Sequence, residues 1–409
     1  MKALVLCGGI PQIALIQELK NRGIFTLLAD MNENVVARPY ADKFCKVSVL
    51  DVEGVTRLAR EQQVDFLITV CADQVLQVVA EVSERLGLPC YIDFATAENV
   101  SKKSYMKRIF AENDIPTSRF VIMDTFEEEK IAHLQYPLIV KPVDAYSSRG
   151  VTKVTDPNDT AAAFALASDI SRTGRAIVEE FVEGDEISVD VYVEEGTAHV
   201  LCLTNLYKIG EDGKFIIHRS CIPAEVSDTV ATQIGVTAQK IADAFCLTNT
   251  PMLIQLITDG ERISVVEFCA RTGGGVKFMM IKKFSSFDVV KAVVDLTLGN
   301  KPHVEPFEKP ATYTVNEFVY CHAGTLDRLE GFEDLLNEGV IADYKQFKSA
   351  GTVFNTINGS GDRVAYFSIE ASSKEELLRL HQEANARIRA VSTKGADLIR
   401  HDLIARFGQ

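Results

Sequence analysis

The sequence predicts an α/β protein that begins with a doubly wound parallel sheet and continues into a larger α+β region. Three observations predict this. Short apolar runs alternate with helical segments over residues 1–95, as parallel sheets with crossover helices require. From about residue 136 the strands become strongly alternating and are joined by short turns, the mark of antiparallel pairing. A proline-spaced stretch, Pro302, Pro306 and Pro310, then separates a last segment.

Lys2–Cys7 reads as a buried strand and Gly8-Gly9 as its turn. The stripe Ile13, Leu15, Ile16 and Leu19 follows at helical spacing. Phe25–Ala29 is a second strand, 55–62 a helix, Phe66–Val70 a strand and 75–86 a helix stopped by Gly87-Leu88-Pro89. Residues 101–113 form one basic helix. Strands follow at 136–142, 176–181 and 186–193, with a polar glycine turn at 147–151 and a helix at 161–167. Asp259-Gly260 joins two strands as a hairpin. The last segment holds strands at 313–320 and 364–369 and a helix over 374–390.

With 409 residues, 47% of them hydrophobic, the chain can fill several cores. No apolar run nears the ~20 residues that span a bilayer. Nine cysteines stand singly, with no C-x-x-C pair, which argues for reduced thiols and against a disulfide framework or zinc site. The formal charge of -14 disfavours nucleic acid, which needs a basic face. The expectation is a cytoplasmic protein that engages neither membrane nor nucleic acid, with room for a small anionic ligand held by a few placed cations.

Several residues carry chemistry. Gly8-Gly9-Ile10 lacks the G-x-G-x-x-G spacing and serves either as a tight strand-to-helix turn or as a helix N-terminus facing a small substrate. Lys141 ends the apolar strand Pro137-Leu138-Ile139-Val140, where a buried ammonium needs an anionic partner. Ser147-Ser148-Arg149-Gly150 soon follows, offering hydroxyls, amides and a cation to phosphate oxygens. The acidic run Glu179 to Glu186 is either a solvated turn or a ligand grip. Gln255 and Glu267 lie on the two strands of the hairpin, so they can face one another. They are then either a hydrogen-bonded pair or two hard oxygen ligands for Mg²⁺. Arg271 and Gly273-Gly274-Gly275 come next.

These pieces, in this order, resemble the ATP-grasp superfamily over roughly residues 1–300. Within it the amino-acid ligases and the carbamoyl-phosphate-synthetase-like members are most similar. The resemblance implies a Rossmann-like domain over 1–95 and a two-lobed nucleotide domain over 96–300, with a mobile lid at roughly 105–184. A small α+β domain over 301–409 completes it. Lys103 matches the first nucleotide-binding basic position, with Lys102 as a competitor, and Lys141 matches the phosphate-binding lysine. Ser147, Ser148, Arg149 and Gly150 look like the loop that covers the phosphates. Glu179, Glu180 and Val182 would meet adenine, and Glu186 the ribose. Glu267 and Arg271 match the family's E-x-N-x-R motif, with Cys269 where the family has Asn. Gln255 takes the other metal position.

The implied activity is ATP-dependent activation of a carboxylate as an acyl phosphate, then coupling to an amine. The cofactors are ATP and Mg²⁺, with Mn²⁺ as its substitute. Arg271, Lys141 and Arg149 would carry the chemistry. His218 and Arg219 are candidates for a substrate carboxylate, or else an exposed cation pair. Small-molecule carboxylates and amines are the implied partners, and a homodimer the implied assembly. Two alternatives stand beside this reading: activation of bicarbonate as carboxyphosphate, and a nucleotide-binding regulator with a degenerate metal site.

Overall fold

A computed structural model describes residues 1–145, 149–210, 215–307 and 310–407. The chain divides into two compact units, each assembled from separated stretches. The first comprises Met1–Thr117, Ser188–Cys202 and Ser227–Pro310; the second comprises Ser118–Ile187, Leu203–Val226 and Ala311–Gln409.

In the first unit, four parallel strands lie in the order Lys43–Lys46, Phe25–Asp30, Lys2–Leu6, Phe66–Ile68. Alternation along Lys2–Leu6 explains the double winding. Ala3 and Val5 join a core with Leu15, Ile16 and Leu19, whereas Leu4 and Leu6 join one with Val55, Val75 and Val79. Each face therefore needs its own helical cover. Ile10–Asn21 serves the first face, with Pro11 near its start. Val52–Gln62 and Asp73–Leu86 serve the second. Asp51 caps one of these, accepting a 3.0 Å bond from the Gly54 amide. Gly87, at φ 64°, ends the other. The first face also receives Val290, Val293 and Val294 from the distant helix Val289–Thr297. Arg22 binds Asp295 of that helix at 2.7 Å.

The glycine turn is built for packing. A Cβ on Gly8 would meet the Val35 side chain at 2.2 Å, and the Gly8 amide donates to Asp30 at 2.9 Å. This geometry accounts for the turn without a ligand. The single basic helix expected over 101–113 is two helices, Phe94–Ser101 and Lys103–Glu112, because Lys102 adopts an extended conformation (ψ 101°) between them. Strands Thr250–Thr258 and Ile263–Cys269 form the expected antiparallel hairpin.

In the second unit, an antiparallel sheet runs Phe120–Met123, Ala176–Glu180, Leu138–Pro142, Thr152–Val154. The helix Thr160–Ile170 contributes Ala163, Phe164 and Ala167 to its core. A second core lies among Ile216–Ile222, Tyr313–Val319, Ala365–Ala371 and Asp343–Gln346, paired antiparallel in that order, and the helix Lys374–Arg387. The expected helix over 374–390 stops at Arg387, since Ile388 is extended and Arg389–Ser392 is a strand. Among the described residues, no helix is long and apolar enough to cross a membrane.

Candidate active site

Two groups of the sequence-derived residues assemble, one in each unit. In the second unit, the strand Leu138–Pro142 is buried throughout, and Lys141 sits near its end. Lys141 is paired in register with Ile177, so Glu179 lies diagonally across the ladder. The Lys141 ammonium donates to Glu179, and both side chains are under one-tenth exposed. Ser118 Oγ donates to the other Glu179 oxygen at 3.0 Å. Burial explains the pairing: an ammonium at this depth cannot stand alone. Glu180 is engaged by Arg119 at 2.6 Å and by the Gln135 amide at 2.7 Å. Its carboxylate therefore ties the segments at 119 and 135 to this strand. Val182 is half-buried in the turn that follows. Glu186 opens the strand Asp185–Glu194 and takes an ion pair from Lys208. Lys208 was not singled out from the sequence, because the 13-residue strand Thr197–Ile209 that carries it was not recognised there.

Arg149 is exposed, and Gly150 has φ 75°, with Pro142 and Ile170 within 2.9 Å of where a Cβ would stand. Only glycine fits that turn without displacement. Ser147 and Ser148 lie outside the described residues.

In the first unit, Lys103 is the first residue of its helix and donates to Glu267, 164 positions away. Burial lowers the Lys103 pKa, but Glu267 and Asp73 overcome it, so the ammonium is held above its ordinary value. Lys102 pairs with Glu98 at 2.9 Å, with both side chains well exposed, and takes no part in this cluster. Glu267 and Gln255 are direct cross-strand partners, next to a register shift between Gln255 and Leu256. Such irregularities re-aim side chains. Arg271 grips Asp73 through Nε and Nη2 and bonds the Thr272 carbonyl at 2.8 Å. Burial opposes the Arg271 charge, but the Asp73 carboxylate that grips it holds it well above its ordinary range. Asp73 was missed because its partner lies 198 residues away and it begins an ordinary surface-facing helix. Burial pushes the Cys269 thiol well above its ordinary pKa. It is therefore a neutral thiol near pH 7 and a poor ligand for a hard cation.

His218 and Arg219 do not form a pair of surface cations. Both lie buried on the strand Ile216–Ile222, where neighbours point to opposite faces. Arg219 donates to Glu317 and to the carbonyls of Leu403 and Ile404, at 3.2 and 2.7 Å. Burial lowers the His218 pKa to about 4, so its imidazole is neutral near pH 7.

The family model described as an ATP-grasp domain matches residues 134–279. The matched stretch holds Lys141, the acidic run, Gln255, Glu267 and Arg271. Beyond it, the chain is 25% identical over 253 residues to the formate-dependent phosphoribosylglycinamide formyltransferase of Rhodococcus jostii, covering 59% of this chain and 62% of that protein. It is 22% identical to the phosphoribosylamine–glycine ligase of Lactococcus lactis, over 66% of this chain and 68% of that one. The L-amino acid ligase of Bacillus licheniformis has the same fold, with a TM-score of 0.81 at 20% identity, covering 96% of this chain and 98% of that structure.

Proposed function

We propose that this chain is an ATP-dependent carboxylate–amine ligase, closest in kind to an amino-acid ligase. The observation that carries the reading is the cluster in the first unit, where Glu267 faces Gln255, accepts from Lys103 and precedes an Arg271 anchored by Asp73. These are hard oxygens and fixed cations, suited to polyphosphate chemistry.

In this reading a substrate carboxylate attacks the γ-phosphorus of ATP, giving an acyl phosphate and ADP. An amine then attacks the acyl carbon and phosphate leaves. Lys103 and Arg271 neutralise negative charge that grows on the transferred group. Lys141 binds phosphate oxygens, exchanging its Glu179 partner for the nucleotide. Glu179, Glu180 and the Val182 backbone serve adenine, and Glu186 the ribose. The lid over 105–184, with Arg149 and Gly150 at its turn, excludes water from the acyl phosphate. The domain limits near 95 and 300 belong to the same reading.

Glu267 and Gln255 fit Mg²⁺, which usually keeps one or two protein oxygens and takes the rest from phosphate and water. Cys269 does not fit, being a neutral thiol. Bound there, the ion would supply positive charge that offsets the charge of the phosphates; Mn²⁺ suits the same oxygens. His218 remains a proposed contact for substrate, as a neutral imidazole. A homodimer is the proposed assembly, and light scattering tests it. The activity is tested by Mg²⁺-dependent ADP release across a matrix of carboxylates and amines. Release dependent on both substrates is the expected result, and release on nucleotide alone or none at all contradicts the reading.

A further inference from the structure

The second unit holds a cavity of ≈ 160 Å³ that the ligase reading does not use. Its buried lining is Cys321 and Phe354, both members of the core shared by the strands Tyr313–Val319 and Ala365–Ala371 and the helix Lys374–Arg387. Backbone pairing fixes this floor: Phe354 pairs with Gly324, and Cys321 bridges Ile399. Burial pushes the Cys321 thiol up to about 12, so the floor adds no charge. The polar lining comes from Lys348, Asn355, Asn358 and Asp362. Two of these are anchored. The Lys348 amide donates to the Val364 carbonyl at 3.3 Å, and Asp362 Oδ2 accepts from the amides of Asn358 and Gly359 at 2.7 and 3.1 Å.

Charge pairing singles out the same two residues. Between 343 and 363 the charged residues are Asp343, Lys345, Lys348, Asp362 and Arg363. Lys345 pairs with Asp343 at 3.2 Å. Arg363 donates to the Tyr320 hydroxyl and the Ile217 carbonyl, each at 3.0 Å, and lies 3.8 Å over the Phe318 ring. Lys348 and Asp362, the two that line the cavity, are half-buried, yet neither has an ion partner among the described residues, each other included. The cavity therefore presents an ammonium and a carboxylate that are too far apart to neutralise one another.

We propose that this cavity binds a small free α-amino acid as its zwitterion. The ligand's carboxylate accepts from Lys348 and from the side-chain amides of Asn355 and Asn358, and its ammonium donates to Asp362. A phosphate would meet the Asp362 carboxylate, and a simple amine would meet the Lys348 ammonium; a zwitterion answers both charges. The volume lies below the ~300–1,000 Å³ of pockets for drug-sized ligands, which restricts the occupant to a small molecule. The proposal stands apart from the ligase reading, since it uses none of the residues assigned there.

Calorimetry on the full chain, without nucleotide, tests it. Glycine, L-alanine, L-serine and L-threonine are the probes, each beside its amide, which lacks the carboxylate, and its deamino acid, which lacks the ammonium. Wild type should bind at least one of the four, and bind either partial probe ~10-fold or more weakly, as loss of a charged hydrogen bond requires. Lys348→Met and Asp362→Asn should each weaken that amino acid ~10- to 100-fold, and Lys348→Arg should largely restore it. Glu267→Gln should bind it as wild type does. A chain that binds none of the four overturns the proposal, as does binding unchanged by Lys348→Met. A deamino acid bound as tightly as the amino acid would show a plain anion site and overturn the zwitterion assignment, and it does so even if Asp362→Asn fails to fold. Binding lost in Glu267→Gln would move the ligand to the first unit and overturn the site.

Discussion

Each unit holds a cluster of buried ionic groups, and the two differ in what they leave available. In the second unit Arg219 is bound by Glu317 and two carbonyls, and His381 lies 2.7 Å from the same Glu317 oxygen. The Phe407 ring stacks beside His381 at 4.5 Å. Every cation there is turned to protein, and the group ties the strands Ile216–Ile222 and Tyr313–Val319 to the last residues of the chain. In the first unit, Lys103, Glu267, Arg271 and Asp73 stand at strand and helix ends, beside glycines and a second hard oxygen at Gln255. Burial and ion pairing alone do not mark a site. What separates the clusters is whether their geometry matches a ligand.

The sharpest way to break the comparison is Arg219→Met. Removing one partner of a buried pair leaves Glu317 uncompensated, and ~3–5 kcal/mol of stability should be lost. Urea melts measure it, and ATP affinity of the folded protein should not change. A melt like wild type would show that this cluster does not support the fold.

His218 gives a pH test within the same unit. Its folded pKa, about 4, lies below its unfolded value of ~6.5. The unfolded chain thus binds more protons between these values, so stability rises with pH there. The contribution is complete above ~6.5 and is lost as pH falls towards 4, amounting to ~3 kcal/mol. His218→Gln should flatten the stability–pH curve in that window, and an unchanged slope would assign the loss to other groups.

Lys141→Ala is expected to weaken ATP binding ~10- to 100-fold by calorimetry on folded protein. Unchanged affinity removes Lys141 from the phosphate role. The smallest effect is expected at Cys269. This residue is partly buried, and Cys269→Asn adds an amide oxygen two positions after Glu267. The Mg²⁺ concentration for half-maximal rate should fall ~2- to 5-fold, with an unchanged melting temperature. A lowered melting temperature with unchanged metal dependence would place Cys269 in the core instead.

The parallel sheet was legible because the apolar run within Lys2–Leu6 and the helical stripe at 13–19 are local patterns. Lys43–Lys46 was not, being polar at both ends and at a sheet edge. The helix Asp228–Ala244 was not read either: Gly235 and several threonines weaken its propensity, although Val230, Ile234, Ala238 and Ile241 form its buried stripe. The facing of Gln255 and Glu267 could be read from one hairpin turn. Asp73 could not, since it acquires its meaning from a partner 198 residues away. Arg219 read as either a substrate anchor or an exposed cation, because its partner Glu317 and the carbonyls near residue 403 are invisible to local pattern.

The most direct test of the central claim is ADP release by Glu267→Gln and Glu317→Gln, measured side by side and normalised to folded protein. Glu267→Gln should melt like wild type yet lose Mg²⁺-dependent release by ~10²- to 10³-fold. Glu317→Gln should melt lower and retain release per folded molecule. Retained release by Glu267→Gln, or its selective loss in Glu317→Gln, would contradict the assignment of chemistry to the first unit's cluster.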